Sequence, residues 1–317
     1  MTPSLASPPP FVSPRQLASP LPDVPATGTL RVLCLPDLHI PTKPSAYQRL
    51  LAHRAYLDAM DYVVLLGDAI RAYGTDREYA EVKNFVDALG RPYRATGGNH
   101  EFWFAPQDEG SPHYGVVWDE ASPQQEVAAL GRFQQFYGLD GLWDARRNAL
   151  GTWVFLSLDG VGEWKQETLS LPQQEFLRGQ IEQAGDDPLY IFCHAPLMID
   201  RPLDLVYYET QRSGCVELTG ALALALANRS GPTFWMSGHV HLHPEHYLFA
   251  PYEAAPRVWQ VHCPDGWGYS RWAREHSVPQ VHEGLFTRHL EAGSAGVDFV
   301  TWDHVADREV ARYPIKF

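Results

Sequence analysis

From Leu30 onward, short apolar and β-branched runs alternate with longer segments whose apolar positions recur at helical spacing. Residues 30–35, 62–66, 93–96, 153–158, 189–193 and 233–236 form the short runs, and their lack of strict alternation predicts strands buried on both faces. Between them, Tyr79, Val82, Val86 and Leu89 fall at i, i+3, i+7 and i+10 behind Thr75 and Glu78, the two members of a capping box. That spacing predicts an amphipathic helix. Ser122, Pro123 and Gln125 mark a second helix start, and Leu177, Ile181 and Ala184 a third helix closing near Gly185. Strand, helix and strand in repetition predict a layered α/β domain. Beyond about Tyr247 the texture changes to hairpin-like strands, residues 285–290 and 297–302 around a Gly-Ser-Ala-Gly turn, and a second sheet is expected there.

The segment ahead of the first run is different. Eight of the first 28 residues are proline, mixed with Ser, Ala and Thr, so residues 1–28 are expected to be a disordered tail before a single domain over residues 29–317. The chain has 317 residues, 45% of them hydrophobic, enough to bury a sizeable core. Lys and Arg number 25 against 38 Asp and Glu, a net charge of -13 that repels polyanions and argues against a general grip on nucleic-acid phosphates. Cys34, Cys193, Cys215 and Cys263 lie far apart with no Cys-x-x-Cys pair, so reduced thiols are expected. The apolar stretch 221–227 is too short to span a bilayer, and residues 1–28 lack a basic start followed by an apolar stretch. Neither a membrane anchor nor a secretory signal is expected, and the cytoplasm is the expected location.

Histidines, aspartates and one asparagine stand where the strands end. Asp37 and His39 follow the first run, Gly67-Asp68 the second, and Gly98-Asn99-His100-Glu101 the third. His194 follows residues 189–193, and Gly238-His239-Val240-His241 follows residues 233–236. In layered α/β proteins ligands bind outside the carboxyl ends of strands, so these five loops are expected to converge. Their donors are imidazole, carboxylate and amide without thiolate, a set suited to Mn, Fe or Zn and less so to Mg alone. Residues two apart in extended backbone face the same side, so Asp37 with His39, and His239 with His241, are expected to chelate as pairs. Glycine at 67, 98 and 238 is expected where the backbone turns sharply beside them.

These five blocks, in this order over residues 31–241, resemble the motifs of the calcineurin-like metallophosphoesterase superfamily. The resemblance implies a two-sheet αββα sandwich, mixed strands flanked by helices, and a dinuclear metal centre. By motif position, Asp37, His39 and His241 would hold one ion, Asn99, His194 and His239 the other, and Asp68 would bridge them. Two divalent ions about 3.5–4 Å apart supply a hydroxide for in-line attack on a phosphomonoester or phosphodiester. Manganese is the leading choice of ion, with iron or zinc as alternates. His100, beside Asn99 but assigned no ion, matches the family histidine that protonates the leaving group.

One departure concerns that histidine. Many family members read Gly-Asp-x-x-Asp, whose second aspartate orients the acid; here the position is Arg71. Either Asp76 or Glu101 orients His100, or the acid step is weaker. Arg71 is a candidate contact to a substrate phosphate and, equally, an ordinary surface arginine. Residues 102–150 form a long insertion expected to build a lid or wall, with Trp103 and Phe104 as candidate stacking partners for the substrate and Tyr114 and Trp118 further along. Residues 197–215, with Arg201, Tyr207, Tyr208 and Arg212, are a second candidate wall. His243 and His246 read as exposed loop histidines, Asp159 is left unassigned, and residues 303–312 read as a solvated strand or hairpin face.

The expected partner is a small-molecule phosphate ester. Sequence-specific nucleic acid is not expected, nor is protein phosphatase activity, since the form Gly-Asp-x-x-Asp-Arg-Gly is missing around Asp68. The alternative is a non-catalytic, metal-binding interaction scaffold on the same fold. The oligomeric state is left open by the sequence.

Overall fold

The computed structural model describes residues 19–107, 119–161, 167–197, 215–246, 248–265 and 285–317. The elements run β1 (Thr29–Leu35), α1 (Pro44–Ala52), α2 (Arg54–Asp58), β2 (Tyr62–Leu66), α3 (Asp76–Leu89), β3 (Tyr93–Thr96), a 3-10 turn (Asn99–Glu101), α4 (Pro123–Tyr137) and β4 (Trp143–Asn148). They continue β5 (Gly151–Leu156), β6 (Gly160–Val161), β7 (Glu167–Thr168), α5 (Leu171–Ala184), β8 (Leu189–Cys193), α6 (Gly220–Ala227) and β9 (Thr233–Ser237). The last are β10 (Tyr252–Ala255), β11 (Val258–His262), β12 (Phe286–Gly293), β13 (Gly296–Asp303) and β14 (Arg308–Lys316).

The strands form two six-stranded mixed sheets, ordered β14-β13-β12-β1-β2-β3 and β10-β11-β9-β8-β5-β4, and the short β6-β7 hairpin stands apart. β1, β2 and β3 are parallel, as are β5, β8, β9 and β11. Alternate residues of each central strand serve different layers. Val32, Cys34, Val64 and Leu66 face Phe155, Phe192, Phe234 and Met236 between the sheets. Leu33, Val63 and Leu65 turn outward to Phe85 of α3 and Phe133 of α4, while Val154 and Ile191 turn to Leu177 of α5 and Leu222 of α6. The four layers are helix, sheet, sheet, helix, and this is why the strands are apolar on both faces.

Helix α3 begins with the capping box at Thr75 and Glu78 and ends at Gly90 in the left-handed region; α4 begins with one at Ser122 and Gln125. In the stretch 102–150, expected as a lid or wall, residues 119–150 are largely scaffold. Helix α4 buries Leu130, Phe133, Phe136 and Tyr137, and β4 edges the second sheet. Residues 108–118, with Tyr114 and Trp118, lie outside the described residues, as do residues 198–214 of the second candidate wall and residues 1–18 of the tail. Further along that tail, Ser19 N–H donates to the Tyr93 carbonyl at 2.8 Å, and Leu21 and Val24 pack against the core between the sheets. Residues 303–312 form a turn leading into β14, whose side chains alternate between part-buried and exposed.

Candidate metal centre

The parallel strands end at one edge of the sandwich, and the loops that leave them continue to pair. Asp37 N–H donates to the Gly67 carbonyl at 3.0 Å, His39 N–H to Asp68 at 2.9 Å, and Gly238 N–H to His194 at 2.9 Å. Glu101 draws the second and third loops together. Its buried carboxylate accepts backbone N–H groups from Asp68 (2.9 Å), Ala69 (2.8 Å), Ile70 (3.3 Å) and Gly98 (2.6 Å).

Asp37, His39, Asp68, Asn99, His194, His239 and His241 are all buried and meet at this edge. Their ligand atoms fall into overlapping groups within 4.8 Å: Asp37, His39 and His241; Asp68, His194 and His239; and His39, Asp68 and His100. His39 Nε2 lies 3.4 Å from His241 Nε2, and His239 Nδ1 lies 3.2 Å from His194 Nε2. Between these pairs stand Asp37 Oδ1, 3.1 Å from His241 Nε2, and Asp68 Oδ2, 3.1 Å from His194 Nε2. Asp37 Oδ1 and Asn99 Oδ1 are buried without a hydrogen bond. Orphaned oxygens facing converging imidazole nitrogens form a donor set that fits divalent ions.

The pairs converge, though not by strand alternation. Asp37, His39, Asp68, His239 and His241 have φ of 53°, 44°, 53°, 65° and 49°, all in the left-handed region. The loops fold back on themselves at these five residues, and an extended Asp-x-His or His-x-His is not what brings the side chains together. The glycines also act differently from the expectation. Gly67 has φ 84°, but at Gly98 and Gly238 the need is room: a Cβ would stand 2.2 Å from Asp68 Oδ1 at the first and 2.4 Å from Asp37 Oδ2 at the second.

The electrostatics favour cations. Burial would raise the Asp37 carboxyl, but His241 and His194 outweigh it and hold it at about 2. Asp68 is likewise held well below the usual range, with His194 and His100 overcoming burial. Burial lowers His194, yet Asp68 and Asp37 push it up to about 10, whereas burial and neighbouring rings bring His39 and His239 down to about 3. The carboxylates thus draw positive charge into the site while two rings keep their lone pairs.

His100 stands beside this cluster, its ring 4.4 Å from that of His39 and its Nε2 3.8 Å from Asp68 Oδ2. Its Nδ1 donates to the backbone carbonyl of Arg71. Neither carboxylate considered from sequence orients it: Glu101 is spent on backbone N–H groups, and Asp76 pairs with Arg132. Arg71 therefore meets His100 through its backbone, and its side chain is half-buried nearby. The Phe104 ring lies edge-on to His100 at 4.9 Å, while Trp103 packs against the outer core of the second sheet.

His243 and His246, expected as exposed, are buried; His243 Nδ1 accepts from Glu245 N–H and His246 Nδ1 from Leu248 N–H. Asp159 accepts Ser170 N–H at 2.9 Å, ahead of α5. Sequence reasoning missed two buried carboxylates beside the candidate ligands, Glu167 at His239 and Asp265 at His241. Asp265 follows β11, the same strand-end signal that found the others, but β11 was hidden among hairpin-like strands. Glu167, in two-residue β7, gave no signal.

Two mixed sheets flanked by helices, with this donor set at the strand ends, have the fold of a metallophosphoesterase. The chain belongs to the calcineurin-like phosphoesterase family, whose model matches residues 30–243. Its structure is similar to a purple acid phosphatase from yellow lupin (Lupinus luteus) seeds, at 13% identity and TM-score 0.58 over 91% of this chain and 54% of that one. The chain thus spans about half the length of the lupin protein. It is also similar to PhoD, at 11% identity and TM-score 0.52 over 92% of this chain and 73% of that one. A third structure, GAP50, the anchor in the inner membrane complex of Plasmodium, matches at 11% identity and TM-score 0.52 over 91% and 89%. At these identities the likeness is one of fold. No curated protein matches the chain significantly. Among the described residues, no helix is long and apolar enough to cross a membrane.

Proposed function

We propose that this chain hydrolyses a small-molecule phosphomonoester or phosphodiester at a centre of two divalent ions. The observation that carries the reading is the overlap of the buried ligand groups around Asp37 and Asp68, with orphaned Asp37 and Asn99 oxygens among them. Asp37, His39 and His241 would hold one ion, Asn99, His194 and His239 the other, with Asp68 between them. When bound, two such ions activate water and neutralise phosphoryl oxygens, and the donor set suits Mn2+, then Fe or Zn.

His100 is the group that hands a proton to the leaving oxygen. Its Nδ1 is occupied by the Arg71 carbonyl, so Nε2 is the atom presented toward Asp68 and the ester. Phe104 walls this side of the site, and the Arg71 guanidinium is the candidate contact to a substrate phosphate. Trp103, part-buried against the core, is the weaker substrate candidate. Residues 29–317 act as one domain. Buried cysteines without disulfides support a reducing compartment such as the cytoplasm.

The competing reading is a binding scaffold on the same fold, and the presence of all seven ligands and His100 speaks against it. Turnover of an aryl phosphomonoester and an aryl phosphodiester with added Mn2+ separates the two. The wild type is expected to show metal-dependent hydrolysis of at least one, and Asp68→Ala to lose it by about a thousandfold or more. A wild type that binds ions yet turns over neither these nor a broad ester panel supports the scaffold.

A further inference from the structure

On the outer face of the first sheet, three histidines, a threonine and a tyrosine form a row between two carboxylates, and none of them belongs to the ligand loops. Thr287, His289 and Glu291 are alternate residues of β12 and turn the same way. Tyr56 of α2 places its hydroxyl 2.9 Å from Thr287 Oγ1 and 2.9 Å from His289 Nδ1. His304, in the turn before β14, has Nε2 2.8 Å from Thr287 Oγ1 and Nδ1 3.0 Å from His53 Nδ1. At the ends of the row, His53 Nε2 lies 2.9 Å from Asp307 and His289 Nε2 lies 3.6 Å from Glu291. Tyr56, Thr287, His289 and His304 are buried, and a cavity of about 490 Å3 opens beside them, with His53, His289 and both carboxylates in its wall.

The cations around the row are engaged by carboxylates. Arg31 of β1 and Arg312 of β14 bond Glu291 at 3.1 and 2.7 Å, and Arg312 also bonds Glu309 at 2.8 Å. Burial, helped by Cys34 and Glu291, pushes the Tyr56 phenol up, so it remains a hydroxyl. Burial, with His53 and His289 beside it, brings His304 down to about 3.

A neutral imidazole carries one N–H and a hydroxyl one O–H, whereas an ionised carboxylate only accepts. His53, His304, Thr287, Tyr56 and His289 therefore bring five hydrogens to six contacts, four between neighbours and two to the carboxylates. If the hydrogens all point toward Asp307, His289 Nε2 and Glu291 face each other as two acceptors. If they point toward Glu291, the same happens at His53 and Asp307. A sixth hydrogen fills the empty contact and makes one ring an imidazolium. All six contacts are then satisfied whether His53, His304 or His289 carries the charge, because the hydrogens of the row can shift together. A second added proton would meet the like charge of the first.

We propose that this row is a proton-binding site, separate from the metal centre, that holds a single proton among its three histidines and thereby fastens α2 to β12 and to the turn before β14. The cavity gives that proton its route to solvent. When it leaves, two acceptors face each other across one contact and the junction loosens. The proposal does not depend on the two-ion reading.

The test is NMR of protein labelled with 15N-histidine, titrated from about pH 9 to pH 5, the range in which free imidazoles take up a proton. In the wild type His53, His289 and His304 are expected to follow one common step, with ring protonation summing to one proton. Asp307→Asn, at a side chain 70% exposed, puts an amide N–H in place of a carboxylate and supplies the missing hydrogen without a charge. It should move the step to lower pH by about one unit or more, and at His289, the far end of the row, as much as at His53. Thr287→Val cuts the row into halves with four contacts and four hydrogens, so the common step should disappear. Three independent steps in the wild type, no uptake by any of the three rings, or an Asp307→Asn shift confined to His53 overturns the proposal. Should Thr287→Val fail to fold, the wild type and the exposed Asp307→Asn decide it.

Discussion

Asp37, His39, Asp68, His239 and His241 sit on left-handed backbone, a conformation that costs a non-glycine residue roughly 1 kcal/mol or more each. Strain of this kind persists only where the surroundings hold it, and here it marks five of the seven candidate ligands. That the seven candidate ligands share one edge was legible in the sequence because each polar residue stands just past an apolar run, and a strand end is where such a residue can reach a shared site. Their conformation was not legible, since alternation suggested extended pairs and the loops in fact curl. His100 shows the same limit: its identity was readable, but its orientation comes from the Arg71 carbonyl, and no side-chain pattern encodes a backbone acceptor. If His100 is the proton donor, His100→Ala should keep its metal content by elemental analysis. Its turnover should fall about 100-fold or more on an alkyl ester and far less on a nitrophenyl ester, whose leaving group needs no proton. Equal losses on both substrates would remove the acid role.

At the scale of elements, Glu101 is the joint between the loops after β2 and β3. Its carboxyl is raised to about 7 by burial and by Asp68, yet four backbone N–H groups converge on it. Removing it leaves those donors buried and unpaired. Glu101→Ala is therefore expected to lower unfolding free energy by about 3 kcal/mol in denaturant titration and to weaken metal binding although it is no ligand. Unchanged stability would mean that water takes over the four bonds. Elements with a local signature were readable: the capping box of α3 forms as expected, α4 starts at the expected Ser122 and Pro123, and β2, β3 and β8 have the anticipated bounds. Elements without one were missed. Helix α6 reads GALALALA, apolar at every position, so no face announces itself, and β4 is a charged edge strand held by its pairing with β5.

Across the whole molecule, the C-terminal strands complete the first sheet through charge as well as backbone. Arg312 of β14 bonds Glu291 of β12 at 2.7 Å and Asp298 of β13 at 2.8 Å, and Arg31 of β1 reaches the other oxygen of Glu291 at 3.1 Å. His289 and then Arg312 hold the Glu291 carboxyl down at about 2 against the opposing effect of burial. A carboxyl lowered on folding stabilises above its unfolded value, near 4.3, and that contribution is lost as pH falls toward 2. Glu291→Gln is thus expected to cost about 1 kcal/mol at neutral pH after allowance for solvent screening. The gap to wild type in thermal melts should close between about pH 5 and pH 2; a constant gap would assign the cost to packing instead. The layered architecture that sets this sheet against the other was legible from the alternation of strands and helices. The sheet assignment of the hairpin strands was not: they join β1 and extend the first sheet.

Everything functional rests on two ions shared by one cluster at the strand ends, and anomalous diffraction from crystals soaked in Mn2+ tests that most directly. The expected map has two peaks, one among Asp37, His39 and His241 and one among Asn99, His194 and His239, with Asp68 touching both. A map with no peak there, or with a single ion that leaves either set of ligands without a metal, contradicts the account.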